Sequence, residues 1–220
     1  MPVEFPPIES ANSDGLLAVG GNLDPETLTQ AYKQGIFPWP VSEEFPLTWF
    51  APDPRGALDL KDFHIPRSLE KFLKKGLYEI KFNQDFEKII NLCANKKRKH
   101  EEGTWINQDI INGYVDMFYQ GKAYCVGAYE DNELAGGLYG VCLGEIFSGE
   151  SMFYNKKNAS KTALVELCLL LKKKGIPFLD TQMVTPVIAS MGGKEVPRVK
   201  FMQMLGRLDV SRPRVDIFGS

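Results

Sequence analysis

Two hydrophobic rhythms alternate along the chain, and they divide it into regions. Near the start, Asp24 and Pro25 open "ETLTQAYKQ", whose apolar positions recur at helical spacing until Gly35 stops them, which predicts a helix. "IFPWP" and "PLTWFAPDPRGAL" follow as short extended pieces broken by proline. "HIPRSLEKFLKKG" predicts a second helix, with Leu69, Phe72 and Leu73 on an apolar side and Arg67, Lys71, Lys74 and Lys75 on a cationic one. After a strand "LYEIKF", Asn83 is the expected cap of the helix "QDFEKIINLCAN", in which Phe86, Ile89, Ile90 and Cys93 are spaced for burial. Asn107 then opens "QDIINGYVDMFYQ", stopped by Gly121.

From Ala123 the period changes to two. "AYCVGAYE", a turn at Asp131-Asn132, "ELAGGLYGVCL", a turn at Gly144-Glu145 and "IFSGESMF" predict a three-stranded antiparallel meander. "NASKTALVELCLLLKKKG" is a long helix ended by Gly175, and "IPFLDTQM" is a strand. Strand, helix and strand at this length imply a right-handed crossover and a parallel pair. Two short helical pieces follow, around "TPVIASMG" and from Pro197 through "RVKFMQML". The expected fold class is α+β, or mixed α/β. A small N-terminal domain spans residues 1–60, and residues 61–220 form an acetyltransferase-like (GNAT-like) domain with a mixed sheet.

Composition narrows the class without naming a function. With 220 residues, 44% apolar and 25% charged, the chain is long enough and apolar enough to bury a core, so disorder is not indicated. No run approaches the roughly 18 apolar residues of a membrane helix, and "MPVEFPPIES" lacks the basic and apolar segments of an export signal, so a cytoplasmic address and no membrane association are expected. Cys93, Cys125, Cys142 and Cys168 sit in apolar settings without paired spacing, which argues against zinc and disulfides; neither metal nor cofactor is expected. Only His64 and His100 could serve as histidine bases, and neither has an apolar or glycine-rich context. The net charge of −2 hides segregation: "KKRKH" at Lys96–His100, Lys156, Lys157 and Lys161, and Lys172–Lys174 cluster the positive charge. Each cluster alone is an ordinary solvated face, whereas several together point to a polyanionic partner.

Candidate chemistry gathers in two strands. Glu150 lies in a run of Ile, Phe and Met, where a desolvated carboxylate costs several kcal/mol unless paired. Strict alternation gives it a face with Met152, and a bulge at Gly149 would bring Phe147 to the same cavity. Asp180 and Gln182, two apart at the carboxyl end of the crossover strand, share a face and could touch one ligand; a strand simply leaving the core explains them equally well. Asn158 to Lys161, at the start of the long helix, could hold a phosphate or simply cap the helix in solvent. Trp39, Trp49 and Trp105 are placed outside regular elements, as binding aromatics or as seals between domains.

"GLLAVGGNL", "AYKQGIFPWP", "WFAPDPR", "EEGTWI", "GGLYGV", "FSGESMF", "NASKTAL", "LDTQ" and "EVPR" occur in order from Gly15 to about Leu208, and together they resemble the leucyl/phenylalanyl-tRNA–protein transferase family. The resemblance implies transfer of Leu or Phe, and less readily Met, from aminoacyl-tRNA to proteins beginning with Arg or Lys, which marks them for N-end rule degradation. It implies an acetyltransferase-like domain that needs no coenzyme A; a monomer is expected, though the sequence itself does not set the oligomeric state. By that likeness Glu150 holds the α-amino group of the aminoacyl ester, and Asp180 and Gln182 orient and activate the acceptor amine. Trp49, Trp105, Leu138, Phe147, Met152 and Leu179 are the expected aminoacyl pocket. Arg67, Lys71, Lys74 and Lys75 are the expected tRNA contacts, from their helical spacing. Val187 stands where many relatives carry a histidine, so no histidine base is expected there, and the segment after Leu208 does not align. Two other readings remain: an acyl-CoA-dependent N-acyltransferase, disfavoured because "YNKKNASKTAL" has no glycine to cradle a pyrophosphate, and a non-catalytic tRNA-binding protein.

Overall fold

The computed structural model describes residues 3–40, 45–96 and 106–210. In the N-terminal part, β1 (Leu16–Val19), α1 (Pro25–Lys33), β2 (Phe37–Pro38) and β3 (Thr48–Phe50) are built around a small antiparallel sheet of order β1-β3-β2. Asp24 accepts a hydrogen bond from the Thr27 amide at 2.8 Å, satisfying an otherwise orphaned donor of the first turn, and Gly35 at φ +72° lets the chain turn after the helix. The rest follows as β4 (Arg55–Asp59), α2 (Arg67–Leu73), β5 (Glu79–Phe82), α3 (Phe86–Ala94), α4 (Gln108–Tyr119), β6 (Ala123–Glu130), β7 (Glu133–Leu143), β8 (Ile146–Tyr154), α5 (Ala159–Lys173), β9 (Phe178–Gln182), α6 (Pro186–Ser190), β10 (Lys194–Val196) and α7 (Arg198–Leu205).

Seven of these strands form one mixed sheet of order β10-β4-β9-β8-β7-β6-β5, antiparallel except for β8 and β9. The meander and crossover expected from residue 123 onward are therefore present, and the fold is mixed α/β. Asp131 and Asn132 both adopt positive φ, the backbone a tight two-residue hairpin requires. Asn107 caps α4 through the Ile110 amide at 3.0 Å. Asn83 does not cap α3: Asp85 holds that position at φ 59°, and the Asn83 side chain instead accepts from the Cys125 amide at 3.2 Å, tying the β5 end to β6. Trp49 lies within β3, not between elements.

Alternation along β6 shows how the sheet is covered on both sides. Cys125 points into a core with Ile89, Ile90, Ile110 and Met117 of α3 and α4, while Tyr124 and Val126 enter a second core with Leu164, Leu167 and Leu171 of α5. Both faces are dry, which is why β6 and β7 read as nearly continuous apolar runs.

Candidate active site

The parallel pair is short. β8 and β9 are in register only at Phe147–Leu179 and Ser148–Asp180, after which the strands part and leave an opening between the second half of β8 and the carboxyl end of β9. Each strand breaks its regular geometry there. In β8 the register with β7 shifts between the Tyr139–Ser151 and Gly140–Gly149 pairs, so Glu150 is the extra residue of a bulge. In β9 Gln182 takes φ 57°, a left-handed conformation that is uncommon for a residue with a Cβ. The chain then passes so tightly over β4 that a Cβ on Gly56 would lie 2.5 Å from the Met183 carbonyl carbon. These two departures turn Glu150 and Gln182 toward each other, and the Gln182 Nε2 donates to Glu150 Oε1 across the gap at 2.7 Å.

Glu150 is half-buried, with further support behind it. Tyr114 of α4 donates to Glu150 Oε2 at 3.0 Å, and the Tyr114 hydroxyl is in turn hydrogen-bonded to that of Tyr32 from α1. Burial is the largest effect on the carboxyl and pushes it up to about 7; hydrogen bonds from Tyr32, Tyr114 and Gln182 oppose the shift, and the Asp180 charge adds to it. Both tyrosines are buried and held well above the usual phenol range, chiefly by desolvation and then by the Glu150 charge, so they are donors, not bases. Asp180, 1% exposed, lies beneath the surface between β4 and β8, paired with Ala57 and Ser148. Its Oδ1 accepts from Arg55 Nε at 2.9 Å and from the Gln182 amide at 3.0 Å, and its Oδ2 accepts from Arg55 Nη2 at 2.7 Å and Ser148 Oγ at 3.1 Å.

Beside this group is a cavity of about 380 Å³, within the range of small-molecule sites. Glu150 and Gln182 supply its charged and polar edge. Leu138, Met152 and Leu179 line it from the sheet, Leu164, Leu167 and Ile188 from the helices beneath, and Phe37, Pro38 and Trp39 from the small sheet and the turn after it. Of the expected pocket residues, Leu138, Met152 and Leu179 face this space, whereas Phe147 lies in the core beneath the sheet and Trp49 packs edge-on against Phe5 with its Nε1 on the Gly20 carbonyl. Trp105 lies outside the described residues, as do residues 97–100 of the "KKRKH" run and the chain after residue 210.

Sequence reasoning missed Arg55, Ser148, Tyr32 and Tyr114 as site residues and left Trp39 open between a binding aromatic and a seal between domains. Trp39 belongs to "IFPWP", whose loop aromatic was a signal of the right kind; the two tyrosines occupy apolar positions of amphipathic helices and carry no separate signal there.

α2, the start of α5 and α6 enclose a second space, a groove of about 600 Å³ that shares α5 and α6 with the cavity. Lys71 and Lys75 enter it from α2 and the turn after it, and Lys157 and Lys161 from the α5 end, over an apolar floor that includes Leu69 and Met191. Arg67 is exposed outside this lining, and Lys74 pairs with Glu70 at 2.9 Å on the surface. Among the described residues there is no cluster of three or more His, Cys, Asp or Glu placed to hold a metal, and no helix is long and apolar enough to cross a membrane.

Comparison with known proteins gives a consistent result. The family described as leucyl/phenylalanyl-tRNA protein transferase matches residues 57–206, and its N-terminal domain matches residues 21–53. A leucyl/phenylalanyl-tRNA–protein transferase of Flavobacterium johnsoniae is 44% identical over 201 residues, 91% of this chain and 94% of that one. Proteins of the same name from Nitrosospira multiformis and Hydrogenovibrio crunogenus are 45% and 43% identical, covering 93% of this chain in each case and 88% and 80% of theirs. Among solved structures, "The structure of L-PGS from Bacillus licheniformis" is distantly similar, at a TM-score of 0.41 and 15% identity, covering 66% of this chain and 45% of that one.

Proposed function

Because the chain belongs to the leucyl/phenylalanyl-tRNA–protein transferase family, an aminoacyltransferase family, we propose that the cavity between the parted strands β8 and β9 holds the aminoacyl end of the donor tRNA. The enzyme moves an amino acid from aminoacyl-tRNA to the N-terminus of a protein. The acceptor nitrogen attacks the ester carbonyl, the bond to the ribose oxygen breaks, and an amine proton leaves with that oxygen. The ester is already activated, so the protein chiefly has to hold an unprotonated amine against the carbonyl.

In this reading the apolar lining takes the side chain of Leu or Phe, and less readily Met, each buried methylene contributing about 0.8 kcal/mol, while β-branched side chains are rejected by shape. Glu150 takes the donor's ammonium group. Gln182 has its Nε2 committed to Glu150, so its carbonyl oxygen is the atom left to accept an N–H of the attacking amine, and Asp180 supports it from behind. A neutral amide positions the amine but is too weak a base to deprotonate it. The observation that carries the assignment is the Gln182–Glu150 hydrogen bond at the mouth of an apolar cavity.

The tRNA would lie along the basic groove, held through its phosphates by Lys71 and Lys75 with Arg67 and Lys74 alongside; Lys157 and Lys161 reinforce the same side. Arg or Lys as the acceptor's first residue, action in the cytoplasm as a monomer, and a small N-terminal domain through about residue 60 whose last strand, β4, is built into the large sheet complete the proposal. Incubation with labelled Phe-tRNA and an Arg-starting peptide should move label to the peptide. Label that stays on the tRNA, or transfer that requires acyl-CoA, would sink the reading.

A further inference from the structure

Asp180 cannot meet the attacking amine, and the reason is arithmetic. A carboxylate has about four lone-pair positions, and each Asp180 oxygen already accepts two hydrogen bonds within the protein. Two come from one guanidinium, that of Arg55, in the bidentate fork a carboxylate fits best. Arg55 is itself held on every side: its Nη1 donates to the Gly35 carbonyl at 2.8 Å, and its guanidinium carbon lies 4.8 Å from the Phe37 ring centroid and 4.7 Å from that of Phe201. Both partners of the ion pair are buried, where breaking one half leaves an uncompensated charge.

What Asp180 does instead is grip the backbone. Its Oδ1 accepts from the amide of Gln182, the residue whose left-handed φ swings the side chain toward Glu150. A left-handed residue with a Cβ persists only where its surroundings over-determine it. We propose that Arg55 is a positioning residue of the transfer reaction: by fixing Asp180 it locks the backbone at Gln182 and so aims the Gln182 carbonyl oxygen at the incoming amine. Arg55 thereby couples the small sheet to β9, and the negative charge of Asp180 is neutralised inside the protein. The inference rests on the reading of this cavity as the transfer site.

The test compares wild type, Arg55→Lys and Ser148→Ala by single-turnover transfer from Phe-tRNA to an Arg-starting peptide, with donor affinity and thermal unfolding measured in parallel. Lys keeps the charge but loses the fork, so Arg55→Lys should transfer about 10²-fold more slowly at saturating donor while donor affinity stays within about threefold. Ser148→Ala, a milder loss at the same carboxylate, should show the same split at roughly 3–10-fold. A merely structural role would lower folded fraction, rate and affinity together. Folded Arg55→Lys with full single-turnover rate, or with rate and affinity lost in equal measure, overturns the proposal; if that variant does not fold, the same criteria applied to Ser148→Ala decide. Failure of the reading itself is separate: wild type would then transfer nothing.

Discussion

At the residue scale, the ammonium-binding role proposed for Glu150 ties donor binding to pH. Its carboxyl is raised to about 7 in the folded protein by burial, against an ordinary value of 4.5. A raised carboxyl contributes stability below the unfolded value and loses it as pH rises through the folded one, so the free protein is penalised above about pH 7 for holding this site ionised. In the proposed role, by contrast, Glu150 must be ionised to hold the donor's ammonium. Phe-tRNA affinity should therefore fall as pH drops below 7, by up to about tenfold per unit, whereas Glu150→Gln should bind weakly and show no such limb. Binding isotherms between about pH 5 and 8 check this; a wild-type affinity that holds level across that range removes Glu150 from ammonium recognition. Glu150 was legible in sequence because a charge in an apolar strand calls for a reason. Its partners were not: Tyr32 and Tyr114 look like core aromatics, and only the fold shows that Tyr114 donates to the carboxylate with the Tyr32 hydroxyl bonded behind it.

At the element scale, the helices were easy to read because their ends carry chemistry. Asp24 and Asn107 do cap α1 and α4, and Gly35, Gly121 and Gly175 follow the ends of their helices with positive φ. Short strands lack such marks: nothing in the sequence flags β1 or β10, and β4, whose "RGALD" resembles the proline-broken pieces before it, runs between β10 and β9 in the large sheet. For α2 the spacing identified a cationic side but not its neighbours. Lys71 and Lys75 turn toward the α5 end and its Lys157 and Lys161, while Lys74 is partly neutralised by Glu70. Reversing Lys71 and Lys75 to Glu should weaken tRNA binding and reduce the slope of log affinity against log salt by roughly 0.7–0.9 for each phosphate no longer neutralised. Reversing Lys74 should do less. Filter binding across a salt series distinguishes them, and equal slopes for wild type and the double variant refute the groove assignment.

At the scale of the whole molecule, the cavity proposed to take the donor belongs to no single element. Its polar edge comes from the parted strands, its floor from α5 and α6, and one wall from the small sheet and Trp39, more than a hundred positions earlier in the chain. That distance explains why the wall could not be found by spacing: strand alternation relates Glu150 to Met152 and Asp180 to Gln182, but nothing local relates either pair to "IFPWP". Trp39→Ala should open the wall to water and lower kcat/KM for Phe-tRNA about tenfold, as expected when one aromatic ring is removed from an apolar wall, leaving the salt dependence of tRNA binding as in wild type. Steady-state transfer assays at two salt concentrations test both halves. Unchanged kcat/KM would move the donor side chain away from this wall.

The cavity floor has a consequence for how this chain could change over time. Leu164, Leu167 and Ile188 touch the bound side chain in our reading, yet they stand on helices that carry none of the hydrogen bonds joining Arg55, Asp180, Gln182 and Glu150. Substitutions there can reshape which amino acid is accepted while the reacting geometry stays as it is. Donor preference is thus free to drift under selection, and a laboratory search for new donors has a small, separable set of positions to randomise.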